Sequence, residues 1–307
     1  MRSWHTDPDG FGCRLCPRAC GVNREQGTPG FCRMPAKLYA ARAALHFWEE
    51  PCISGTRGSG TVFFSGCTLR CIYCQNRSIA RGDAGQEISL ERLTEIFLEL
   101  QGQGAHNINL VTPTHYAPWI AEALEKAKKR GLSIPVVYNC GGYEGEESLR
   151  RMEGLVDIYL TDFKYMDSDL AARYSNAPDY PAEAEKALER MYRQVGNPVF
   201  DGNGMMRKGI IVRHLLLPGA LRNAKAVVDY VYETYGENVY LSLMNQYTPL
   251  TGDEGAELPE PLNRKVTKRE YERLVDYALE LGVTNAFIQE GDTAKESFIP
   301  PFEGTGL

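Results

Sequence analysis

The feature that most constrains this fold is an alternation, from Thr61 onward, of short apolar runs with amphipathic stretches. Such alternation is typical of repeated strand-helix units that build a parallel sheet. Helices are predicted between the apolar runs, for example over 89–101 behind a Ser89 cap, and after Thr267, where Glu270 completes a capping box. The predicted strands are 61–65, 107–112, 134–139, 156–162, 210–217 and 239–244, with 285–289 as a further candidate. We therefore expect an α/β fold with a curved parallel sheet or barrel, whose functional site lies at the carboxyl ends of the strands.

Length and charge narrow the classes of function. The chain has 307 residues and a formal net charge of -6. A chain of this length can bury a full hydrophobic core without disulfides or a structural metal, and its negative net charge argues against a broad nucleic-acid-binding surface. No run reaches the roughly 18 apolar residues of a membrane span, and the first residues lack the apolar core of a signal peptide. We expect a cytoplasmic protein with no nucleic-acid and no membrane partner.

Seven of the nine cysteines fall into two clusters, which in a reducing compartment favours metal binding or catalysis over disulfides. Cys67, Cys71 and Cys74 lie within eight residues, directly after the first predicted strand. Three thiolates on one loop each hold one iron of a 4Fe-4S cubane and leave the fourth iron open for chemistry. The alternative is a zinc site completed by a remote ligand, because a structural zinc ion needs four ligands.

The spacing Cys67-x3-Cys71-x2-Cys74, with Tyr73 just before the last cysteine, resembles the signature of the radical S-adenosylmethionine (SAM) superfamily. The resemblance implies that SAM chelates the open iron through its amino and carboxylate groups, and that Tyr73 lies near the adenine. It also implies that reductive cleavage of SAM gives a 5'-deoxyadenosyl radical, which abstracts hydrogen from a substrate. The protein then supplies binding, orientation and shielding of the radical.

Residues 55–67, 104–116 and 157–165 resemble an uncharacterised branch of that superfamily, related to the pyruvate formate-lyase activating enzyme. The resemblance covers nearly the whole chain and implies a partial (β/α)6 TIM-like barrel. Asp162-Phe163-Lys164 matches the Asp-Leu-Lys segment of that family at the end of the fourth strand. Lys164 would there hold the carboxylate of SAM or an acidic group of the substrate; a surface ion pair is the alternative.

The chain departs from the activating enzymes at two strand ends. Their Gly-Gly-Glu motif, which binds the amino group of SAM, is replaced by Thr112-Pro113-Thr114-His115, and Thr112 and Thr114 are candidate cofactor contacts. Their Asp-Thr-Asn-Gly segment is replaced by one that begins with Asn139, a further candidate. In the fifth strand only one of Arg213 and His214 can face the barrel interior, and we expect Arg213 to contact SAM or substrate.

The other cluster, Cys13, Cys16, Cys20 and Cys32, supplies four thiolates. Four thiolates close either a tetrahedral zinc site or an auxiliary iron-sulfur cluster, and the spacing leaves both open. We expect residues 1–57 to form a cysteine-rich, metal-binding N-terminal segment and residues 58–307 to form the catalytic partial barrel.

The leading hypothesis is an enzyme that cleaves SAM reductively and takes hydrogen from a substrate. That substrate is either a glycine of a glycyl radical enzyme or a peptide or small molecule. A reducing donor such as flavodoxin or ferredoxin would supply the electron. His115, at a strand end, is either an acid-base group or an inert loop residue. The hypothesis from a different class is a structural or adaptor protein in which all the clustered cysteines bind zinc.

Overall fold

The computed structural model describes residues 12–250, 258–289 and 300–307. Its strands are β1 Tyr39–His46, β2 Ser59–Phe64, β3 Gln86–Glu87, β4 Ile108–Val111, β5 Val136–Cys140, β6 Ile158–Asp162, β7 Val199–Phe200, β8 Met206–Leu215, β9 Tyr240–Met244 and β10 Ala286–Ile288. Its α-helices are α1 Pro51–Ser54, α2 Arg77–Ala80, α3 Leu90–Gly102, α4 Ala117–Lys129, α5 Glu146–Met152, α6 Ser168–Ser175, α7 Tyr180–Val195, α8 Leu221–Tyr235 and α9 Lys268–Leu281. Within these ranges, no helix combines the length and apolarity of a membrane span.

The strands form one sheet in which parallel neighbours follow the order β2-β4-β5-β6-β8-β9-β10. This spatial order is also the chain order. Because strand-helix-strand crossovers are right-handed, an order that never reverses places all the crossover helices on one face of the sheet. A sheet covered on one face curls around its other face, which gives an open barrel. The expected partial TIM-like α/β barrel is confirmed, and the 285–289 candidate contains its last strand, β10.

Local sequence explains most of these elements. Strands β2 and β4 are buried along their whole length, because helices cover their outer face and the barrel interior encloses their inner face. Helix α3 begins after Ser89, whose hydroxyl accepts from the Arg92 amide, and its apolar face packs on the sheet. Helix α9 begins with the predicted capping box of Thr267 and Glu270.

The segment before residue 57 contributes to the same sheet. Strand β1 pairs antiparallel with the outer edge of β2, from His46 opposite Ser59 to Ala40 opposite Phe64. The short β3 then pairs with β1. Sequence analysis predicted no strand here.

Helix α1 closes the barrel at the amino ends of the strands. Cys52 and Ile53 pack against alternate strand residues, which face the inside of the sheet: Val137, Ile158, Leu160, Met206 and Ile211. The side-chain amide of Asn107, just before β4, donates to the Ile53 carbonyl at 2.7 Å. The barrel interior next to α1 is therefore filled by apolar side chains.

Candidate functional site

A cavity of about 520 Å³ lies at the carboxyl ends of the strands. Its volume is that of a typical small-molecule or cofactor site. All three cysteines of the loop after β2 line it, together with all six predicted cofactor contacts: Tyr73, Thr112, Thr114, Asn139, Lys164 and Arg213. The fold thus brings together residues that are spread over almost 150 positions of the sequence.

The loop that carries the three cysteines, here called the triad loop (residues 66–74), begins with a glycine in a position where a Cβ would collide with its neighbours. Gly66 has a φ of 86°, in the left-handed region. A Cβ at this position would overlap Met34 Cγ and lie 2.7 Å from the Cys32 carbonyl oxygen. The triad loop is therefore seated directly on the N-terminal segment.

Hydrogen-bond donors surround the thiols of the triad loop. The backbone amides of Leu69 and Arg70 point at Cys67 Sγ, with N-S distances of 3.4 and 3.5 Å. The Ser175 hydroxyl, at the end of α6, donates to Cys71 Sγ at 2.9 Å. Donors of this kind stabilise thiolates and tune iron-sulfur clusters.

Burial opposes ionisation of Cys67 and Cys74, and the charge of Lys164 offsets it only in part. Burial raises the pKa of Cys67 to about 11 and the pKa of Cys74 to about 12. Among the residues that the structure describes, no group of three or more Cys, His, Asp or Glu side chains stands arranged to hold a metal ion. A cubane differs from a single ion in that each thiolate binds a different iron. Three thiols on one loop, facing a cavity and met by N–H and O–H donors, fit such a cluster in their chemistry.

A chain of hydroxyls links Tyr73 to Cys71. Tyr73 Oη lies 2.8 Å from Tyr165 Oη, which lies 2.8 Å from the Ser175 hydroxyl. Burial raises the pKa of both tyrosines, so they remain neutral. Since Ser175 donates to Cys71, the position of the Tyr73 ring in the cavity wall is coupled to the triad loop.

Lys164 forms an ion pair with Asp162, and both line the cavity. Burial acts against the charged amine, but the nearby carboxylate outweighs it and raises the pKa of Lys164. The side chains are only 18% and 23% exposed, so this pair belongs to the cavity wall and is not a surface salt bridge.

Arg213 faces the cavity, whereas His214 faces the opposite side of β8, as strand alternation requires. His214 is buried, with Nδ1 2.7 Å from the Phe163 carbonyl oxygen. Arg213 donates to Glu50 through Nε at 2.8 Å and Nη2 at 2.6 Å, and it also pairs with Glu49. The guanidinium is therefore already bound by two carboxylates, and any contact with SAM or substrate would be shared with them.

Sequence analysis missed Glu49 and Glu50, which line the cavity above α1. Glu49 Oε1 accepts from Asn109 at 2.8 Å and from Asn139 at 3.3 Å. Burial disfavours ionised Glu50, but Arg213 outweighs it and lowers the pKa of Glu50. Two adjacent carboxylates before a proline were the only local signal, and their partner in β8 is more than 160 residues away.

A second missed group, Glu144, lies behind the cavity wall. Thr114 Oγ1 donates to its Oε1 at 2.8 Å, and the Tyr138 hydroxyl donates to its Oε2 at 2.9 Å. Burial raises the pKa of Glu144 to about 7, although these hydroxyls oppose the shift. Because Thr114 gives its hydrogen to Glu144, its oxygen presents lone pairs to the cavity.

His115 does not line the cavity. It is buried, and its Nε2 lies 2.8 Å from the Ser65 carbonyl oxygen. Ser65 directly precedes the triad loop, so the contact with His115 fixes the start of that loop. Thr112 does line the cavity and adopts a φ of 58°, with its amide donating to the Asn139 carbonyl at 2.9 Å.

The four N-terminal cysteines are gathered in one lobe, here defined as residues 12–38. A Cβ placed on Gly30 would lie 3.4 Å from both Cys20 Sγ and Cys32 Sγ. Burial, together with the charges of Cys13, Cys32 and Cys20, raises the pKa of Cys16. Cys13 and Cys32 are buried, whereas Cys20 is exposed.

Comparison with known proteins agrees with this geometry. Residues 61–208 match the Radical SAM superfamily. The chain is 28% identical over 278 residues to an uncharacterised protein of Methanocaldococcus jannaschii. The matched region covers 87% of this chain and 74% of that protein. It is 21% identical over 169 residues to the pyruvate formate-lyase-activating enzyme of Staphylococcus epidermidis. That match covers 52% of this chain and 61% of the enzyme. The chain thus spans less than two thirds of the activating enzyme.

Among solved structures, the fold is similar to that of a methylornithine synthase. The TM-score is 0.51 at 15% sequence identity, over 72% of this chain and 60% of that chain. This likeness supports the partial barrel. The matched family range contains the whole triad loop, so the resemblance read from the cysteine spacing is confirmed. Residues 61–208 are therefore a domain of the radical SAM superfamily.

Proposed function

We propose that this chain is a radical SAM enzyme whose 4Fe-4S cluster is held by Cys67, Cys71 and Cys74. Membership of the superfamily implies the cluster and SAM as cofactors. The observation that carries the assignment to these residues is the single cavity that all three thiols share with the six predicted cofactor contacts. When bound, the cluster and SAM supply a 5'-deoxyadenosyl radical that abstracts hydrogen from the substrate.

The side chains of the cavity bind and orient SAM. Thr114 replaces the carboxylate of the Gly-Gly-Glu motif, because its oxygen, whose hydrogen is given to Glu144, accepts from an amino group. The Asp162-Lys164 pair offers a cation for a carboxylate. The ring of Tyr73 supplies an apolar surface for the adenine, and Thr112 and Asn139 supply polar contacts at the ends of their strands. Arg213, Glu49 and Glu50 form a group of ion pairs in the cavity wall next to α1.

The substrate is a glycine of a glycyl radical enzyme, as the similarity to an activating enzyme suggests, or a peptide or small molecule. A flavodoxin or ferredoxin would supply the electron. The four N-terminal cysteines bind a second metal, zinc or an iron-sulfur cluster. A glycyl radical signal that appears on a candidate partner only when SAM and this enzyme are present would support the first substrate class; turnover of small molecules alone would exclude it.

The test is anaerobic purification, reconstitution with iron and sulfide, and measurement of 5'-deoxyadenosine released from SAM under reduction. We expect release by the unaltered protein and its loss in Cys71→Ala. The matched control is Cys52→Ala, the same chemical change in α1, away from the thiols of the triad loop. A colourless, zinc-loaded protein that leaves SAM intact after reconstitution would contradict the assignment and favour the zinc-binding adaptor.

A further inference from the structure

The N-terminal lobe has too little core to hold its own shape. Its only regular element is the three-residue 3-10 helix Arg24–Gln26. Apart from its cysteines, the buried apolar residues between positions 12 and 38 are Leu15, Met34 and Leu38. Segments this small that cannot bury enough apolar surface are commonly held together by disulfides or a bound metal. The four gathered thiols are the groups in this lobe that can provide such a link.

Arg18, in the turn between Cys16 and Cys20, joins this lobe to the triad loop. Its Nε donates to the Thr68 carbonyl at 2.9 Å, and its Nη2 donates to the Ser175 carbonyl at 2.8 Å. Its third nitrogen donates to the Asn176 carbonyl. One guanidinium therefore holds both the triad loop and the end of α6, whose Ser175 hydroxyl donates to Cys71 Sγ.

A stack of side chains strengthens the same junction. The Arg18 guanidinium lies 4.0 Å from the centre of the Phe31 ring, and the Arg70 guanidinium lies 5.1 Å from the same ring. Arg70 Nη1 also donates to the Phe31 carbonyl at 3.2 Å. Phe31 precedes Cys32, so both halves of the cysteine lobe touch the triad loop.

We propose that Cys13, Cys16, Cys20 and Cys32 hold a second, thiolate-bound metal centre, and that this centre braces the triad loop through Arg18. In the described structure the four sulfurs are neighbours but do not stand in the positions of metal ligands. Binding would draw them together and fix the Cys16–Cys20 turn from which Arg18 reaches. Arg18 is a positioning residue, because it acts on Cys71 through Ser175. Its effect on the triad assumes the cluster of the proposed function, whereas metal binding in the lobe does not.

The expected electronic effect has a definite sign. A hydroxyl that donates to a thiolate ligand stabilises the reduced, more negative cluster and so raises its reduction potential. Releasing the Ser175 carbonyl from Arg18 loosens the hydroxyl that bonds Cys71. Loss of Arg18 should therefore shift the potential of the triad cluster to a more negative value, in the same direction as loss of the Ser175 hydroxyl.

The metal centre is tested in a variant that lacks the triad ligands, Cys67→Ala/Cys71→Ala/Cys74→Ala. After anaerobic reconstitution with iron and sulfide, or loading with zinc, we expect one metal centre per chain. The further change Cys20→Ala, at an exposed position that leaves the core intact, should reduce bound metal to background. Iron with sulfide identifies a cluster, and zinc alone identifies a structural site. A protein that retains neither metal overturns the proposal, whatever the triad does.

The brace is tested by potentiometric titration of the triad cluster, followed by its electron paramagnetic resonance signal. Arg18→Ala, Arg18→Lys and Ser175→Ala should all lower the potential, because lysine cannot reproduce the three-way contact. The control is Arg173→Ala on the same helix, where the guanidinium donates to the Glu260 carbonyl at 3.0 Å and lies over Tyr174. An unchanged potential in Arg18→Lys and Ser175→Ala would refute the brace. Absence of 5'-deoxyadenosine release by the unaltered protein would instead refute the proposed function.

Discussion

Replacing Arg213 by methionine should destabilise the fold, because it leaves two buried carboxylates without their cation. The side chains of Glu49 and Glu50 are 8% and 5% exposed, and that of Arg213 is 12% exposed. Methionine fills a similar volume without charge, so the change tests electrostatics more than packing. Glu49 keeps its bonds from Asn109 and Asn139, whereas Glu50 loses both charged bonds.

Two estimates of the cost agree. Removing one partner of a buried ion pair typically costs about 3–5 kcal/mol. If Glu50 instead takes up a proton at pH 7, shifting its pKa from an ordinary value near 4.3 costs about 1.4 kcal/mol per unit, or about 4 kcal/mol. A loss of this size is a large part of the roughly 5–15 kcal/mol that stabilises a typical domain.

The assay is urea unfolding of the metal-free protein, followed by tryptophan fluorescence at pH 7.5 and pH 5. The buried carboxyl of the variant has a raised pKa, so the variant recovers stability as the pH falls toward the ordinary carboxyl value. The deficit of Arg213→Met should therefore shrink at pH 5, and adding Glu50→Gln should recover at least half of it at pH 7.5. A loss below about 1 kcal/mol at pH 7.5, or an equal loss at both pH values, would refute the reasoning.

Three further changes probe other parts of the structure. Because burial raises the pKa of Glu144 to about 7, its contribution to stability is present below an ordinary carboxyl pKa and is lost as the pH rises through 7. Glu144→Gln should remove about 3 kcal/mol of that pH dependence, measured by thermal unfolding at pH 5 and 8, and an unchanged slope would contradict this. Gly66→Ala should abolish cluster incorporation, measured as iron bound per chain. The control Gly102→Ala, where a Cβ meets nothing within 4 Å, should bind iron normally. Normal iron content in both variants would show that the close approach of Gly66 to Met34 is unimportant. Thr267→Ala should cost about 1 kcal/mol of unfolding free energy through loss of the α9 cap, while an unchanged urea midpoint would argue against that cap.

The sequence alone was sufficient for the class of fold, and it predicted nine residues that the fold brings to one cavity. Every predicted strand overlaps an observed one, and the caps at Ser89 and Thr267 lie where the patterns indicated. These features are local, because strand burial, helical periodicity and capping depend on residues within a few positions of each other. The triad was equally visible, since its three thiols share one short loop.

Only the tertiary structure decided which group lies next to each buried charge. Strand alternation indicated that Arg213 could face the interior. It did not indicate that Glu49 and Glu50, more than 160 positions earlier in the sequence, would neutralise the charge of Arg213. In the same way, no sequence pattern predicted that α1 would pack inside the barrel or that Arg18 would donate to the triad loop. The physical reason is that burial and ion pairing depend on which surfaces meet after the chain folds, and a buried charge is determined by its neighbours in space and not by its neighbours in sequence.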